Sequence, residues 1–261
     1  MKILFIGDIV GKPGRRAVQE ILPSLIGNRE IDLVIANCEN AAAGFGITRD
    51  VVEELYDAHI DILTSGNHIW DKKEVLGFIE DYETLLRPAN YPGIVPGKGS
   101  VLMPTAAGDY VGVLNLAGRI FMQPIDCPFV TAKKEIVRLK AKTNVIIVDM
   151  HAEATSEKKA LGWYLDGEVS AVLGTHTHVQ TADDEVLSGG TAYISDVGMT
   201  GPFDSVIGIK KDTIIEKFLT QVPNKFDVAK GDIRLQGVLM DIDTQSGRAN
   251  AIERISVKLK E

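Results

Sequence analysis

Side chains that commonly bind metal ions follow apolar runs at five separate places in the sequence. In open α/β sheets the C-terminal ends of parallel strands line a shared crevice, so residues remote in sequence can converge there. We therefore expect one site built from these strand ends. Its candidate residues are Asp8, Glu39, Asn40, Asn67, His68, His151, His176 and His178.

Carboxylate and amide oxygens with imidazole nitrogens form a mixed ligand set, which suits Mn, Fe or Zn better than a thiolate site would. His176 and His178 are two residues apart, so in an extended segment both side chains point to the same side, toward a shared metal cluster. Asn67 and His68 are adjacent and would diverge in a strand. One of these two can then bind a metal while the other faces a substrate.

Several nearby residues have other interpretations. His59 lies between a predicted helix and a predicted strand, and we expect an ordinary histidine without a role in the site. Either Asp149 or Glu153 could orient a metal-binding histidine through a hydrogen bond, and the sequence favours neither. Cys38, next to Glu39, is interpreted as a buried filler residue.

The elements that must position these residues alternate along the chain. Short, nearly continuous apolar runs predict strands covered on both faces, at 3–6, 33–36, 60–63, 111–116, 145–148, 171–173 and 192–194. Segments between them predict helices, for example 48–58 with Thr48 as its cap, and 71–82 with Asp71 opening an analogue of a capping box. Alternating strands and helices indicate a layered α/β fold.

The remaining stretches predict connections rather than a second domain. A polar turn between the alternating segments 235–243 and 249–258 predicts a closing antiparallel hairpin. The Pro- and Gly-rich stretch 87–104 is typical of a surface loop. No repeat or linker divides the sequence, so we expect a single domain over 1–261.

The composition limits the function classes. A net charge of −8 and a pI near 5.2 argue against a broad basic surface for nucleic acid, so any phosphate ligand must be held locally. Arg15, Arg16 and Arg119 could recognise phosphate but are interpreted as solvated surface residues. The first apolar run is too short for a secretory signal, and no run approaches the roughly 20 apolar residues of a membrane span. Two distant cysteines fit a reducing cytoplasm.

The ordered motifs resemble those of calcineurin-like metallophosphoesterases. The resemblance rests on Gly7-Asp8, Gly66-Asn67-His68, the lone His151, and Gly174-Thr175-His176-Thr177-His178. Residues 37–46, Asn-Cys-Glu-Asn-Ala-Ala-Ala-Gly-Phe-Gly, resemble more closely the YmdB-type subgroup, phosphodiesterases that act on 2′,3′-cyclic nucleotides. The likeness covers essentially the whole chain. Val10 and Glu39 replace a histidine and an aspartate of the wider family, and the subgroup shares both changes.

The resemblance implies a four-layer sandwich, in which two central β-sheets are flanked by α-helices, and a centre of two metal ions. Fe or Mn is expected, with Zn as a further option. The ligands implied for one ion are Asp8, Glu39, Asn40 and His178, and those for the other are Glu39, Asn67, His151 and His176. Glu39 would bridge the two ions. A bridging hydroxide would attack the phosphodiester, and His68 would give a proton to the leaving oxygen.

The expected partner is a small phosphodiester or cyclic nucleotide, with no membrane involved; RNA as a substrate and an oligomeric state are left open. A P-loop is rejected because only three residues separate Gly7 from Gly11 and because Pro13 stands where Ser or Thr is needed. Two alternatives remain open at this point. One is a metal-dependent amidohydrolase such as a zinc peptidase, and the other is a non-catalytic, metal-stabilised signalling or interaction protein.

Overall fold

Two β-sheets form the centre of the protein. The computed structural model describes residues 1–106 and 108–260. The predicted domain also includes residues 107 and 261, which lie outside the described part. The strands of the first sheet are β1 (Lys2–Ile6), β2 (Asp8–Ile9), β3 (Leu33–Asn37), β4 (Ile62–Thr64), β11 (Met199–Pro202), β12 (Ile233–Ile242) and β13 (Ala249–Lys258). Those of the second are β5 (Ser100–Pro104), β6 (Tyr110–Ala117), β7 (Val145–His151), β8 (Ala171–Thr175), β9 (Glu185–Val186) and β10 (Ala192–Ile194).

Parallel pairing in both sheets brings strand ends to a common edge. In the first sheet β1, β3 and β4 run parallel, and β12 pairs antiparallel with β1. In the second, β6, β7, β8 and β10 run parallel in that order. The register places Ile6 beside Ala36 and His151 beside Thr175. The residues that follow these positions therefore emerge side by side.

Helices cover the outer faces of the two sheets. Those on the outer faces are α1 (Gly11–Arg29), α2 (Arg49–Asp57), α3 (Pro128–Lys140) and α4 (Thr155–Leu165), and a further helix, α5 (Lys211–Thr220), follows β11 in the chain. Apolar residues of α1 and α2 pack on the first sheet, and those of α3 and α4 pack on the second. A third apolar cluster, including Phe5, Ile35, Val113 and Ile147, fills the space between the sheets. The predicted four-layer sandwich is confirmed.

The continuous apolar runs explain why the sheets stack in this way. Residues 3–6 and 145–148 are buried on both faces, because alternate side chains point into the inter-sheet core and toward a helix layer. The predicted hairpin is also confirmed, since β12 and β13 pair antiparallel. None of the helices in residues 1–106 and 108–260 is long and apolar enough to cross a bilayer.

Three sequence predictions about local structure are wrong. The helix predicted over 71–82 is replaced by two short 3₁₀ helices, Lys73–Gly77 and Ile79–Asp81, because Gly77 is a poor helix former and Asp71 bonds to His68 instead of capping. Thr48 precedes α2, but its side chain makes no capping hydrogen bond. The stretch 87–104 is only partly a surface loop, since it includes β5 and the buried Arg87.

Candidate metal centre

The candidate site lies where the strand ends of the two sheets meet. The first sheet contributes Asp8 in β2, and the turns that follow β3 and β4 contribute four more residues. The second sheet contributes His151, the last residue of β7, and two histidines just after β8. Asp8, Glu39 and His151 are fully buried. The structure thus brings together all of the sequence-predicted residues, namely Asp8, Glu39, Asn40, Asn67, His68, His151, His176 and His178.

One group of side chains is centred on the Nε2 atom of His151. This nitrogen lies 2.9 Å from Oε1 of Glu39, 3.0 Å from Oδ1 of Asn67 and 3.1 Å from Nδ1 of His176. Ligand atoms of Glu39, His151 and His176 all lie within 4.8 Å of one another. Oxygen and nitrogen atoms at this spacing can surround a single divalent ion.

A second group lies on the other side of Glu39. Nε2 of His178 is 3.7 Å from Oδ1 of Asp8 and 3.3 Å from Nδ2 of Asn40. The same Nδ2 atom is 3.5 Å from Oε1 of Glu39, so this carboxylate belongs to both groups. The two groups correspond to the two ligand sets that the family resemblance implies.

Asp8 shows that the second group fits a cation. Its Oδ1 atom is buried and has no hydrogen-bond partner among the described residues, whereas its Oδ2 atom accepts a hydrogen bond of 3.2 Å from the backbone N–H of His176. An unpartnered buried carboxylate oxygen is costly unless a positive charge compensates it. Oxygen ligands from Asp8 and Glu39 with nitrogen from His178 supply the chemistry that a divalent transition metal prefers.

The histidine pair after β8 reaches the site in a way that differs from the sequence prediction. We expected an extended segment, but β8 ends at Thr175, and both histidines have a left-handed backbone, with φ of 100° for His176 and 65° for His178. Residues other than glycine seldom adopt such values, and they persist mainly where surrounding contacts enforce them. Here the hydrogen bond from the His176 N–H to Asp8 is one such contact.

Both candidates for orienting a histidine do so. Thr175 Oγ1 donates to Oδ1 of Asp149 at 2.7 Å and lies 2.9 Å from Nδ1 of His151. The hydroxyl can therefore accept the Nδ1 proton of His151, which leaves Nε2 free to bind a metal. Glu153 acts on the other histidine directly, with Oε2 at 3.1 Å from Nε2 of His176.

Burial and charge shift the pKa values of these groups in the metal-free protein. Burial lowers the pKa of His178, but the nearby carboxylate of Asp8 outweighs it and raises the pKa to about 9. Burial and the charge of His151 lower the pKa of His176 to about 3. Burial raises the pKa of Asp149 to about 7, against the opposing charge of His151. A proton on His178 thus occupies the position that a metal would take.

His68 stands apart from the ligand groups. Its backbone N–H donates to Oε2 of Glu39 at 2.8 Å, while its ring is turned toward Asp71, whose Oδ2 atom lies 2.8 Å from Nδ1. The ring of Phe45 packs edge-on against it, with centroids 5.1 Å apart. Among the described residues, Nε2 of His68 has no hydrogen-bond partner, so this atom is available to a substrate.

Sequence reasoning missed the roles of Asp71 and Thr175. Asp71 stands three residues after His68, a spacing that can bring two side chains together within one turn, but the sequence suggested a helix cap instead. Thr175 lies within the His-containing motif but carried no signal of its own. His59 is exposed and lies outside the site, and Cys38 is fully buried, as expected for both.

Comparison with known proteins decides the family. A family model described as YmdB-like protein matches residues 4–255. This chain belongs to the YmdB-like family. A relative from Bacillus subtilis (strain 168), named 2′,3′-cyclic-nucleotide 2′-phosphodiesterase, is 51% identical over 257 residues, which cover 98% of this chain and 97% of the relative.

Solved structures of other proteins agree with the YmdB-like assignment. A hypothetical protein from Thermus thermophilus is 43% identical with a TM-score of 0.93, and the match covers 99% of both chains. A protein from Mycoplasma pneumoniae, described as a novel phosphatase, is 35% identical with the same TM-score and matches 99% of this chain and 93% of its own. The predicted family is confirmed, and this YmdB-like protein is a hydrolase of phosphoric esters.

Proposed function

We propose that this YmdB-like protein hydrolyses 2′,3′-cyclic nucleotides at a centre of two divalent metal ions. The observation that carries the proposal is the convergence of Glu39, Asn67 and His176 on Nε2 of His151, next to the unpartnered Oδ1 of Asp8. The substrate class follows the name of the Bacillus subtilis relative. The proposed ligands are Asp8, Glu39, Asn40 and His178 for one ion, and Glu39, Asn67, His151 and His176 for the other.

The metal ions, when bound, supply positive charge to the phosphoryl oxygens and lower the pKa of the attacking water. The protein contributes the geometry of their ligands. Glu39 is positioned by the N–H of His68 and spans both groups. Asn40 would offer its amide oxygen after half a turn about its Cβ–Cγ bond, because its Nδ2 faces His178 in the structure. The absence of thiolate from both groups favours Mn or Fe, with Zn as the further option.

His68 is the proposed proton donor. In the reaction the oxygen of water forms a bond to phosphorus, the bond from phosphorus to the 2′ oxygen breaks, and His68 gives that oxygen a proton. The product is then the 3′-monophosphate. Asp71 holds Nδ1 and so directs Nε2 toward the leaving oxygen. The ring of Phe45, which packs edge-on against that of His68, also restricts its rotation.

Two wider expectations belong to the same proposal. The single domain predicted over 1–261 is the unit of activity, because both sheets contribute to the centre. The cytoplasmic location predicted from the two distant cysteines also remains part of the proposal.

The test is hydrolysis of 2′,3′-cyclic AMP by protein stripped of metal and reloaded with Mn²⁺, Fe²⁺ or Zn²⁺. We expect turnover only after reloading, with 3′-AMP as the product. His68→Ala should lose most activity while binding metal like the wild type, and His59→Ala is the matched control because His59 is exposed and remote from the site. Metal-independent turnover, or a fully loaded wild type without turnover, would contradict the proposal.

A further inference from the structure

A groove lined by basic side chains runs over the surface next to the start of α1. A cavity of about 610 Å³ lies between the start of α1 and residues 225–233. A smaller cavity of about 120 Å³ adjoins it and shares Arg16, Lys230 and Ile233. The basic side chains that line the two cavities, here called the basic track, are Lys12, Arg16, Lys225, Lys230, Lys258 and Lys260.

Two of the six basic side chains of the basic track are paired with carboxylates, Arg16 with Glu20 at 2.6 Å and Lys258 with Asp232 at 3.2 Å, so its positive charge is only partly neutralised. Of the two carboxylates that line the cavities, Asp227 is 3.0 Å from Lys210, and Asp232 pairs with Arg234 and Lys258. Within residues 1–106 and 108–260, neither Lys225 nor Lys230 has a carboxylate partner. The whole chain carries a net charge of −8, so this concentration of cations is a local departure from an acidic surface.

Aromatic and aliphatic contacts join the basic track to the metal centre. The ring of Phe226, which lines the larger cavity, lies 6.4 Å from the ring of Phe45, and Phe45 in turn contacts His68. Val228 packs against Gly11 and Gly44, where any Cβ atom would lie within about 3 Å of its methyl groups. The N–H groups of both glycines donate to the carbonyl of Asn40. These contacts place Phe226, on the wall of the larger cavity, one side chain away from His68.

The chemistry of the groove matches single-stranded nucleic acid. Proteins that bind single strands combine a positively charged groove for the phosphates with aromatic rings on which bases stack. The basic track supplies the positive charge, and the half-buried Phe226 supplies an aromatic ring, with Nζ of Lys217 4.6 Å from the centroid of that ring. An acidic peptide would use the cations but would gain less from the flat aromatic surface.

We infer that the basic track binds the phosphates of a single-stranded RNA whose 3′ end, closed as a 2′,3′-cyclic phosphate, occupies the metal centre. This inference rests on the proposed function and extends its substrate class from mononucleotides to oligonucleotides. Arg16, interpreted from sequence as a solvated surface residue, then contacts phosphate. The local track also reconciles phosphate binding with the acidic composition, which excluded only a broad basic surface.

The first experiment measures binding without turnover. A 5′-fluorescein RNA of about eight nucleotides with a 3′-phosphate end is titrated with the metal-loaded protein by fluorescence anisotropy. Lys225→Ala/Lys230→Ala should weaken binding roughly tenfold, and it should reduce the slope of log affinity against log salt by about 0.7 per lost contact. Lys134→Ala/Lys142→Ala removes two exposed lysines outside the track and should leave both quantities unchanged.

Equal affinity in the two double variants would overturn the inference. So would displacement of the RNA by poly-glutamate at the same concentration of negative charge, which would instead favour an acidic peptide. Lys225→Arg/Lys230→Arg should retain most of the affinity, because it preserves the charges. These measurements do not depend on catalysis, so they decide the inference even if no substrate is hydrolysed.

The second experiment separates the inference from the proposed function. We compare kcat/KM for 2′,3′-cyclic AMP with that for a tetranucleotide that ends in a 2′,3′-cyclic phosphate. The wild type should prefer the tetranucleotide about tenfold, and Lys225→Ala/Lys230→Ala should lose this preference while keeping its activity on the mononucleotide. Mononucleotide activity without any preference would refute the inference alone, whereas inactivity on both substrates would refute the proposed function.

Discussion

The Nδ1 atom of His68 lies 2.8 Å from the Oδ2 atom of Asp71, which stands three residues later in the chain. A carboxylate that accepts from Nδ1 fixes the ring orientation and leaves Nε2 to handle the proton of the substrate. Two bound cations would repel a protonated His68, and the negative charge of Asp71 opposes that repulsion. In the proposed reaction, this contact would give Asp71 a positioning role in proton transfer.

The need for this proton depends on the leaving group. A ribose alkoxide is strongly basic, so His68→Ala should lower kcat for 2′,3′-cyclic AMP by about 10²–10⁴-fold. p-Nitrophenolate is a much weaker base, so kcat for bis(p-nitrophenyl) phosphate should fall far less in the same variant. Steady-state kinetics on both substrates, with metal content measured in parallel, checks this. Equal losses on the two substrates would indicate a binding role for His68.

Asp71→Asn should lower kcat for the cyclic nucleotide, as His68→Ala does, but by a smaller factor. The amide keeps the size of the side chain but removes the negative charge, so we expect a fall in kcat for the cyclic nucleotide of roughly 10–100-fold with little change in KM. The matched control is Asp81→Asn, because Asp81 lies nearby in sequence but pairs with Arg49 instead. An effect of Asp71→Asn confined to KM would argue against positioning of the proton donor.

Thr175 should control metal affinity through His151. Its hydroxyl connects Nδ1 of His151 to Oδ1 of the buried Asp149. Thr175→Val keeps the shape but removes this link, and we expect metal affinity to fall about 10–100-fold. Thr175→Ser keeps the hydroxyl and should bind metal almost like the wild type. Competition with a chromophoric chelator measures both, and equal affinities in the two variants would exclude the link.

The sequence predicted which residues converge better than it predicted the contacts that hold them in place. Residues at the ends of buried parallel strands converge because the register of the sheets brings those ends together, and this could be inferred from apolar runs alone. The contact between Asp71 and His68 could not be inferred from the sequence, because it depends on a turn that replaces the helix expected over 71–82. The left-handed backbone at His176 could not be inferred from the sequence either, because tertiary contacts rather than local preference enforce it.

Gly66 should be required for the position of His151. A Cβ atom added at Gly66 would lie 2.0 Å from Cδ2 and 2.2 Å from Nε2 of that ring, which must then move. We expect Gly66→Ala to lower the free energy of unfolding by about 1–3 kcal/mol and to reduce metal binding. Gly27→Ala in α1 is the control, because a Cβ there meets nothing within 4 Å and should stabilise the helix by about 0.5–1 kcal/mol. Thermal unfolding and metal analysis test both.

Metal binding and protonation of His178 should compete. Because its pKa in the folded metal-free protein is about 9, above the ordinary 6.5, this group stabilises the fold fully below pH 6.5, and the stabilisation is lost as pH rises through 9. A metal needs the neutral imidazole, so the affinity of the centre should increase with pH over the same range. A rise in pH should therefore lower the contribution of His178 to folding stability but increase metal affinity. These opposite dependences distinguish a proton from a metal ion on His178.

Calorimetry of metal binding in buffers of different ionisation enthalpy counts the protons released. At pH 8 Asp149, with a pKa of about 7, is already mostly ionised, whereas His178 is mostly protonated. We expect His178→Gln to release about one proton fewer than the wild type at pH 8, and the difference to shrink toward zero above pH 10. An unchanged proton count in the variant would show that His178 does not exchange a proton for the metal.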